Sequence, residues 1–292
     1  MVYDEKVMSH NPTVSFEFFP PKTPRMERTL WRNIGQLEML KPAFFSVTYG
    51  ALGSDRDHSL ETVFNMQREG RVPVAAHLTA AGHTRESLLE LAKRFHESGV
   101  QRIVALRGDA DLTEDGIHDV ADMVTALKSV ADFDISVAAY PEVHPKAPSL
   151  AADLEQLKRK LDAGSQRALT QYFFDADVFL RFRDAAATVG IQQPIVPGIL
   201  PVHDFEKVQS FSERCGASVP AWLHQAFAGT QAGSAEQKRI GIELAVKLCD
   251  RLLREGVDQI HFYTLNIPSL TFEVAHQLGI TLAWDKKRRT TA

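Results

Sequence analysis

Eight short runs rich in β-branched and aromatic residues recur along the chain: Val14–Phe19, Phe44–Thr48, Val74–Leu78, Ile103–Arg107, Ile135–Tyr140, Ala168–Phe173, Ile195–Ile199 and Ile260–Tyr263. Their starts are spaced by 30, 30, 29, 32, 33 and 27 residues, and then by 65. Several are nearly continuous apolar runs, as parallel strands covered by helices require. Between them lie stretches with helical periodicity: Arg25–Met39, Thr84–Ser98, Val120–Val130, Leu150–Ala163, Asp177–Val189, Asp204–Arg214 and Gln237–Glu255. Leu30, Ile34 and Leu37 fall on one helical face, and Thr84 and Gly99 bracket the second stretch as cap residues do. The long last interval also holds extra material around Trp222–Gly233. Eight strands alternating with helices predict an α/β chain folded as a single-domain (β/α)8 TIM barrel over residues 1–292. A doubly wound open sheet is the alternative, but no GxGxxG follows the first strand.

Composition excludes several classes. Lys+Arg 33 against Asp+Glu 37 leaves a formal charge of -4, which gives no broad basic surface for nucleic acid or membrane. Cys215 and Cys249 are the two cysteines, too few for a secreted disulfide framework. The N-terminus lacks the apolar core of a signal peptide, and no stretch approaches the roughly 20 apolar residues that span a bilayer. The expectation is a cytoplasmic protein with flexible ends at 1–12 and 285–292, the basic Lys286–Arg289 being a solvated terminus.

In a barrel, chemistry gathers where the strands end. Glu17 interrupts an aromatic strand; flanked in sequence by Phe16 and Phe18, it is expected to be partly desolvated, which favours the neutral acid and suits a proton donor. A carboxylate held purely for structure is the plain alternative. Arg107-Gly108-Asp109 reads as a tight turn that lets backbone approach a ligand, with Arg107 fit for a phosphate or for an internal ion pair. His77, Glu142 and His144 lack the spacing of a metal site, and His77 suits a hydrogen-bonded core or ligand contact better. Asp153, Gln156 and Lys160 share one helical face, either solvated or turned to a nucleotide. Phe211 fits helix packing or a stacking platform.

Read together, the segments become familiar. Ser15-Phe16-Glu17-Phe18-Phe19-Pro20-Pro21-Lys22, Ser46-Val47-Thr48-Tyr49-Gly50-Ala51, Ala76-His77-Leu78-Thr79 and Val104-Ala105-Leu106-Arg107-Gly108-Asp109 are followed by Tyr140-Pro141-Glu142-Val143-His144-Pro145. Leu157–Gly164, Thr170-Gln171-Tyr172-Phe173-Phe174-Asp175, Pro197–Pro201 and His261-Phe262-Tyr263-Thr264-Leu265-Asn266 complete the set. In order from about residue 13 to 280, they resemble the methylenetetrahydrofolate reductases, closest to the short bacterial, FAD-dependent type. The resemblance implies a barrel with FAD at the strand C-termini. It implies reduction of 5,10-methylenetetrahydrofolate to 5-methyltetrahydrofolate by a ping-pong course, with NADH favoured over NADPH as donor.

By that resemblance Glu17 is the general acid that opens the imidazolidine ring, and Asp109 orients folate beside the flavin. Gln171 and Phe211 would contact substrate, and Tyr263 would cover the adenine side or the substrate mouth. FAD would be held by Thr48, His77, Arg107, Gly108, Asp109, Tyr140, His144, Asp153, Gln156, Arg159 and Lys160, with no metal. Leu52 and His58 replace a common glycine and arginine, and Gln156 a frequent asparagine. A homodimer or homotetramer is implied, and the regulatory extension of eukaryotic relatives is not expected on this chain. Rival readings are the reverse oxidation of 5-methyltetrahydrofolate, a proline-dehydrogenase-type flavin barrel, a metal-dependent lyase and a silent folate-binding protein.

Overall fold

The protein is described by a computed structural model covering residues 12–50 and 56–280. The expected flexible termini (apart from Pro12) and the Leu52 replacement lie outside the described residues. The elements run β1 (Thr13–Phe18), α1 (Pro24–Glu38), β2 (Phe45–Val47), α2 (Arg56–Glu69), β3 (Val74–Thr79), α3 (Arg85–Glu97), β4 (Arg102–Leu106) and α4 (Val120–Val130). They continue with β5 (Asp134–Ala139), α5 (Leu150–Asp162), β6 (Arg167–Thr170), α6 (Ala176–Thr188), β7 (Ile195–Val196), β8 (Gly198–Ile199) and α7 (Phe205–Cys215). α8 (Ala221–Phe227), α9 (Ala235–Arg254), β9 (Gln259–Tyr263) and α10 (Pro268–Gln277) complete the chain.

All pairings are parallel, in the order β7-β6-β5-β4-β3-β2-β1-β9-β8. The expected single strand Ile195–Ile199 is broken at Pro197, which has no N–H for a ladder. Its first half, β7, pairs with β6 through Leu169↔Val196, and its second half, β8, pairs with β9 through Gly198↔His261. The two halves therefore act as one stave, and the sheet closes into an eight-stave (β/α)8 barrel.

Strand alternation sorts the side chains. Val14, Phe16 and Phe18 of β1 and Ile260 and Phe262 of β9 face outward into the main core, where Phe16 stacks on Phe262 at 5.5 Å. The inward set forms three tiers. Nearest the strand N-termini, Asp134 binds Arg167 with two bonds of 2.6 and 3.1 Å and Arg102 at 3.1 Å, with both guanidinium groups over the Phe44 ring. Two residues further along their staves, Phe44, Ala75, Val104, Leu169 and Val196 make a separate apolar cluster. Interleaved with it and above it stand inward polar residues, Ser15, Glu17, Ser46, His77, Ser136, His261 and Tyr263, with the His261 ring stacked on Phe44 at 5.9 Å.

Most helices begin on a side-chain cap; Thr23, Thr84, Asp119 and Ser149 each accept a backbone N–H from their own first turn. Because each helix runs back against its strand, these caps stand at the same end as the strand C-termini. The sequence pattern missed α2, whose buried side includes the polar Ser59 and Thr62 and so has a weak apolar stripe, and α10, which is short and opens on Pro268. The extra material before α9 contains α8 and a satellite core, with Phe205 stacked on Phe227 at 4.7 Å.

Candidate active site

The polar tier opens at the C-terminal mouth, and its centre is Glu17. Glu17 is 19% exposed, with Oε2 3.3 Å from His77 Nε2 and 3.7 Å from His261 Nε2. Ser15 Oγ lies 2.7 Å from His261 Nδ1, so a chain of polar groups crosses from β1 to β9 and back. Burial holds the His77 ring below its usual pKa, an effect that Glu17 opposes and His261 reinforces, so His77 is a neutral imidazole at pH 7. Phe16 and Phe18 do not flank Glu17 in space, because alternation sends them to the opposite face. Its surroundings are two imidazoles and, across the register, Ser46 and Tyr263.

Tyr263 is a strut. Its hydroxyl donates to Thr170 O at 2.7 Å, and burial raises its pKa well above the ordinary value. The ring passes Gly198, where a Cβ would lie 2.5 Å from Tyr263 Cε2 and 2.2 Å from Thr170 O. Gly198 N in turn donates to Thr170 Oγ1 at 2.9 Å. These bonds span the barrel at the height where the β6–β7 ladder has ended.

The remaining rim residues sit just beyond the ends of their strands. Thr48 follows β2, Arg107 follows β4, Tyr140 follows β5 and Gln171 follows β6. Gln171 Oε1 accepts from Tyr172 N at 3.0 Å, which turns its amide nitrogen elsewhere. Gly108 has φ +84, and a Cβ there would be 2.8 Å from Thr79 Cβ and 3.1 Å from Ala81 Cβ. Close packing against Thr79 and Ala81, together with the positive φ, demands glycine at 108. Arg107 is exposed and hydrogen-bonds Gly108 O at 3.0 Å, with no ion pair among the described residues, while Asp109 stands exposed beside it.

Along α5 and its approach, Tyr140 packs edge-on to His144 at 4.4 Å, and His144 N donates to Asp153 Oδ2 at 2.8 Å. Burial pushes the Tyr140 phenol to about 12, with Asp153 and Asp109 adding to the rise. Burial pulls Lys160 down to about 8 against the opposing pull of Asp153 and Asp119; its Nζ donates to Ala138 O at 2.6 Å. Gln156 and Arg159 bond to each other at 3.2 Å, and Arg159 reaches Asp119 at 3.0 Å, so this pair is directed to the cap of α4. Phe211 on α7 is half-buried and lies outside the packed clusters, with Arg214 over its ring at 4.9 Å.

Ser15 and His261 were missed as site residues by sequence reasoning, although their parity with Glu17 and Tyr263 on β1 and β9 would have found them. Nor was the neighbouring lock on the rim read from the sequence, in which Arg56 binds Ala81 O and Gly82 O and covers Tyr49, itself stacked on His83. His58 instead contacts Pro21 O. A groove of about 830 Å³ lined by Arg85, Lys93, Asp115 and Ser129 lies against α3 and α4 and includes none of these mouth residues.

A closed (β/α)8 barrel with a sheltered carboxyl, a neutral imidazole and a polar rim at its C-terminal mouth is the architecture of a barrel enzyme. Comparison with known proteins narrows that class. The family model for methylenetetrahydrofolate reductase matches residues 3–279. The 5,10-methylenetetrahydrofolate reductase of Pectobacterium carotovorum is 48% identical over 91% of this chain and 90% of its own, and that of Escherichia coli K12 is 46% identical with the same coverage. The chain belongs to the methylenetetrahydrofolate reductase family and is an oxidoreductase of that activity. A solved structure of an uncharacterized Clostridium thermocellum protein that binds two copies of 5-methyl-5,6,7,8-tetrahydrofolic acid shares the fold. It does so with TM-score 0.69 and 15% identity, over 92% of this chain and 96% of that one.

Proposed function

We propose that the chain is an FAD-dependent reductase that takes electrons from NADH and delivers them to 5,10-methylenetetrahydrofolate in a ping-pong course. The observation that carries the reading is Glu17, a sheltered carboxyl at the centre of the mouth beside His77. Opening the imidazolidine ring needs a proton at nitrogen, and Glu17 supplies it. His77, held below its usual pKa by burial, stands beside that carboxyl as a neutral imidazole.

The residues present fit a flavin nucleotide. Thr48 Oγ1 and Ser46 Oγ are buried without a hydrogen-bond partner among the described residues, as groups awaiting a polar ligand are. Arg107 offers a guanidinium with no carboxylate partner among the described residues, suited to a pyrophosphate. Thr48, His77, Arg107, Gly108, Tyr140, His144, Asp153 and Lys160 would hold FAD, with Gln156 and Arg159 at its edge. Bound flavin would supply the hydride that the protein's own side chains cannot. Asp109 orients the pterin, while Gln171 offers its amide nitrogen and Phe211 its ring face to substrate. Tyr263, tied to Thr170, shapes the floor of the mouth rather than closing it.

The Clostridium thermocellum neighbour, whose fold this chain shares, binds methyltetrahydrofolate, which supports a folate as a ligand of this barrel. Among the described residues no helix is long and apolar enough to cross a membrane, which supports a cytoplasmic setting. A single-domain homodimer or homotetramer follows from the family resemblance. The testing experiment is anaerobic: reduce the bound flavin with NADH, add methylenetetrahydrofolate, and follow reoxidation and methyltetrahydrofolate. Flavin that reduces and then ignores folate would refute the reading in favour of a proline-dehydrogenase-type barrel. Reduction only by methyltetrahydrofolate would favour the opposite flux.

A further inference from the structure

Two elements of the proposed mouth are far apart in sequence yet bonded to each other. The loop after β5 carries Tyr140 and His144, and α7 carries Phe211. Glu142 Oε2 accepts from Ser218 N at 2.8 Å, joining that loop to the turn that follows α7. We propose that Glu142 is a positioning residue, setting the place of Phe211 from the cofactor side of the mouth; this rests on the ligand assignments of the preceding section.

The geometry on both sides is fixed. Val143, a β-branched residue, sits at φ +69 in the left-handed region, a conformation that persists only when its surroundings impose it. Val143 N donates to Tyr140 O at 3.1 Å, His144 N to Asp153 Oδ2 at 2.8 Å and Lys146 N to His144 Nδ1 at 3.0 Å. The loop so pinned aims Glu142 at α7. That helix ends on Gly216 at φ +75, whose N–H returns to Ser212 O at 2.9 Å; a Cβ at 216 would lie 2.6 Å from Pro145 Cγ. The same loop therefore meets the α7 terminus twice, through Glu142 and through Pro145.

Stave six supplies the third hold. Tyr172 OH lies 3.0 Å from Ser212 Oγ, and Cys215 Sγ donates to Tyr172 OH at 3.4 Å. Phe211 directly precedes Ser212 and has no place in the packed cluster beneath, so its ring goes where the last turn of α7 is held. Of the three holds, only Glu142 presents a charged acceptor to a backbone N–H, the stronger kind of hydrogen bond. Whatever steadies Tyr140 and His144 is thereby passed to Phe211.

The experiment compares the FAD-loaded parent with Glu142→Ala and Glu142→Gln. Loss of a charge-assisted bond predicts a roughly tenfold higher KM for methylenetetrahydrofolate in Glu142→Ala, with kcat nearly unchanged, and roughly tenfold faster amide exchange at Ser218. Glu142→Gln keeps an acceptor oxygen without the charge and restores both readouts in part. Adding FAD to the apoprotein slows exchange over residues 212–218 in the parent but not in Glu142→Ala. Parent-like KM and exchange in Glu142→Ala, or failure of Gln to rescue, would overturn the proposal. If the parent itself ignores folate, the assignment of function fails, and the FAD-dependent exchange alone decides the role of Glu142.

Discussion

Replacing Gly198 with alanine tests how the barrel is closed. The new Cβ would stand 2.2 Å from Thr170 O and 2.5 Å from Tyr263 Cε2, against an ordinary contact of about 3.5 Å. The nearer obstacle is backbone, so no side-chain rotation relieves it. Moving the Thr170 carbonyl by the required ångström or so disturbs two bonds at once, Tyr263 OH to Thr170 O at 2.7 Å and Gly198 N to Thr170 Oγ1 at 2.9 Å. Each such bond is worth about 1 kcal/mol net, and overpacking adds about 1–3 kcal/mol. The expected cost is therefore about 4 kcal/mol, a large part of the roughly 5–15 kcal/mol that stabilises an ordinary domain. For a chain of this size the midpoint should fall by roughly 8 °C in a thermal melt followed by circular dichroism. In a Tyr263→Ala background most of that cost should persist, because Thr170 O remains. A fall below about 2 °C, or full rescue by Tyr263→Ala, would refute the account of the seam.

Glu17→Gln should slow the folate half-reaction by roughly 10²–10⁴ while flavin reduction by NADH stays nearly normal in stopped flow; equal losses in both would remove Glu17 from the acid role. FAD affinity, followed by quenching of flavin fluorescence, should depend on Lys160. With its ammonium held at about 8 by burial, and raised again by a bound phosphate, affinity is greatest below that pH and weakens above it. Lys160→Gln should bind more weakly and flatten the profile, and an already flat parent profile would contradict the placement. In the ligand-free protein the unfolded chain holds the extra proton between about 8 and 10.5, so the Lys160 contribution to stability improves as pH rises through that window. Asp134→Ala leaves Arg102 and Arg167 facing each other over Phe44 and should cost about 2 kcal/mol in urea denaturation, with Asp134→Asn intermediate. Unchanged stability in both variants would show that solvent already screens the trio.

The strand–helix beat was legible because parallel staves buried on both sides must be apolar runs, and the caps that start their helices are local chemistry. The break at Pro197 was written in the sequence too, but a two-residue pairing on each side carries no periodicity of its own. α2 was hidden by Ser59 and Thr62, small polar residues that pack as well as alanine where a helix lies close to the sheet. At the site, the position of Glu17 was readable and its environment was not: neighbours in sequence on a strand are opposites in space, and Phe16 and Phe18 belong to the outer core. His261 and Ser15 needed the β1–β9 register, a pairing across some 246 residues that no local pattern encodes. The tight turn at Gly108 was readable, whereas its packing against Thr79 and Ala81 needed the neighbouring stave.

The apolar cluster of Phe44, Ala75, Val104, Leu169 and Val196 narrows the inside of the barrel between the charged trio and Glu17. Ser136, on the inner face of β5, interrupts it and accepts from Arg167 at 3.1 Å, so a polar foothold remains within the packing. Under the proposed chemistry a folate lying in the mouth would cover Glu17 on its solvent side, so the carboxyl meets the substrate already set in place by His77 and His261.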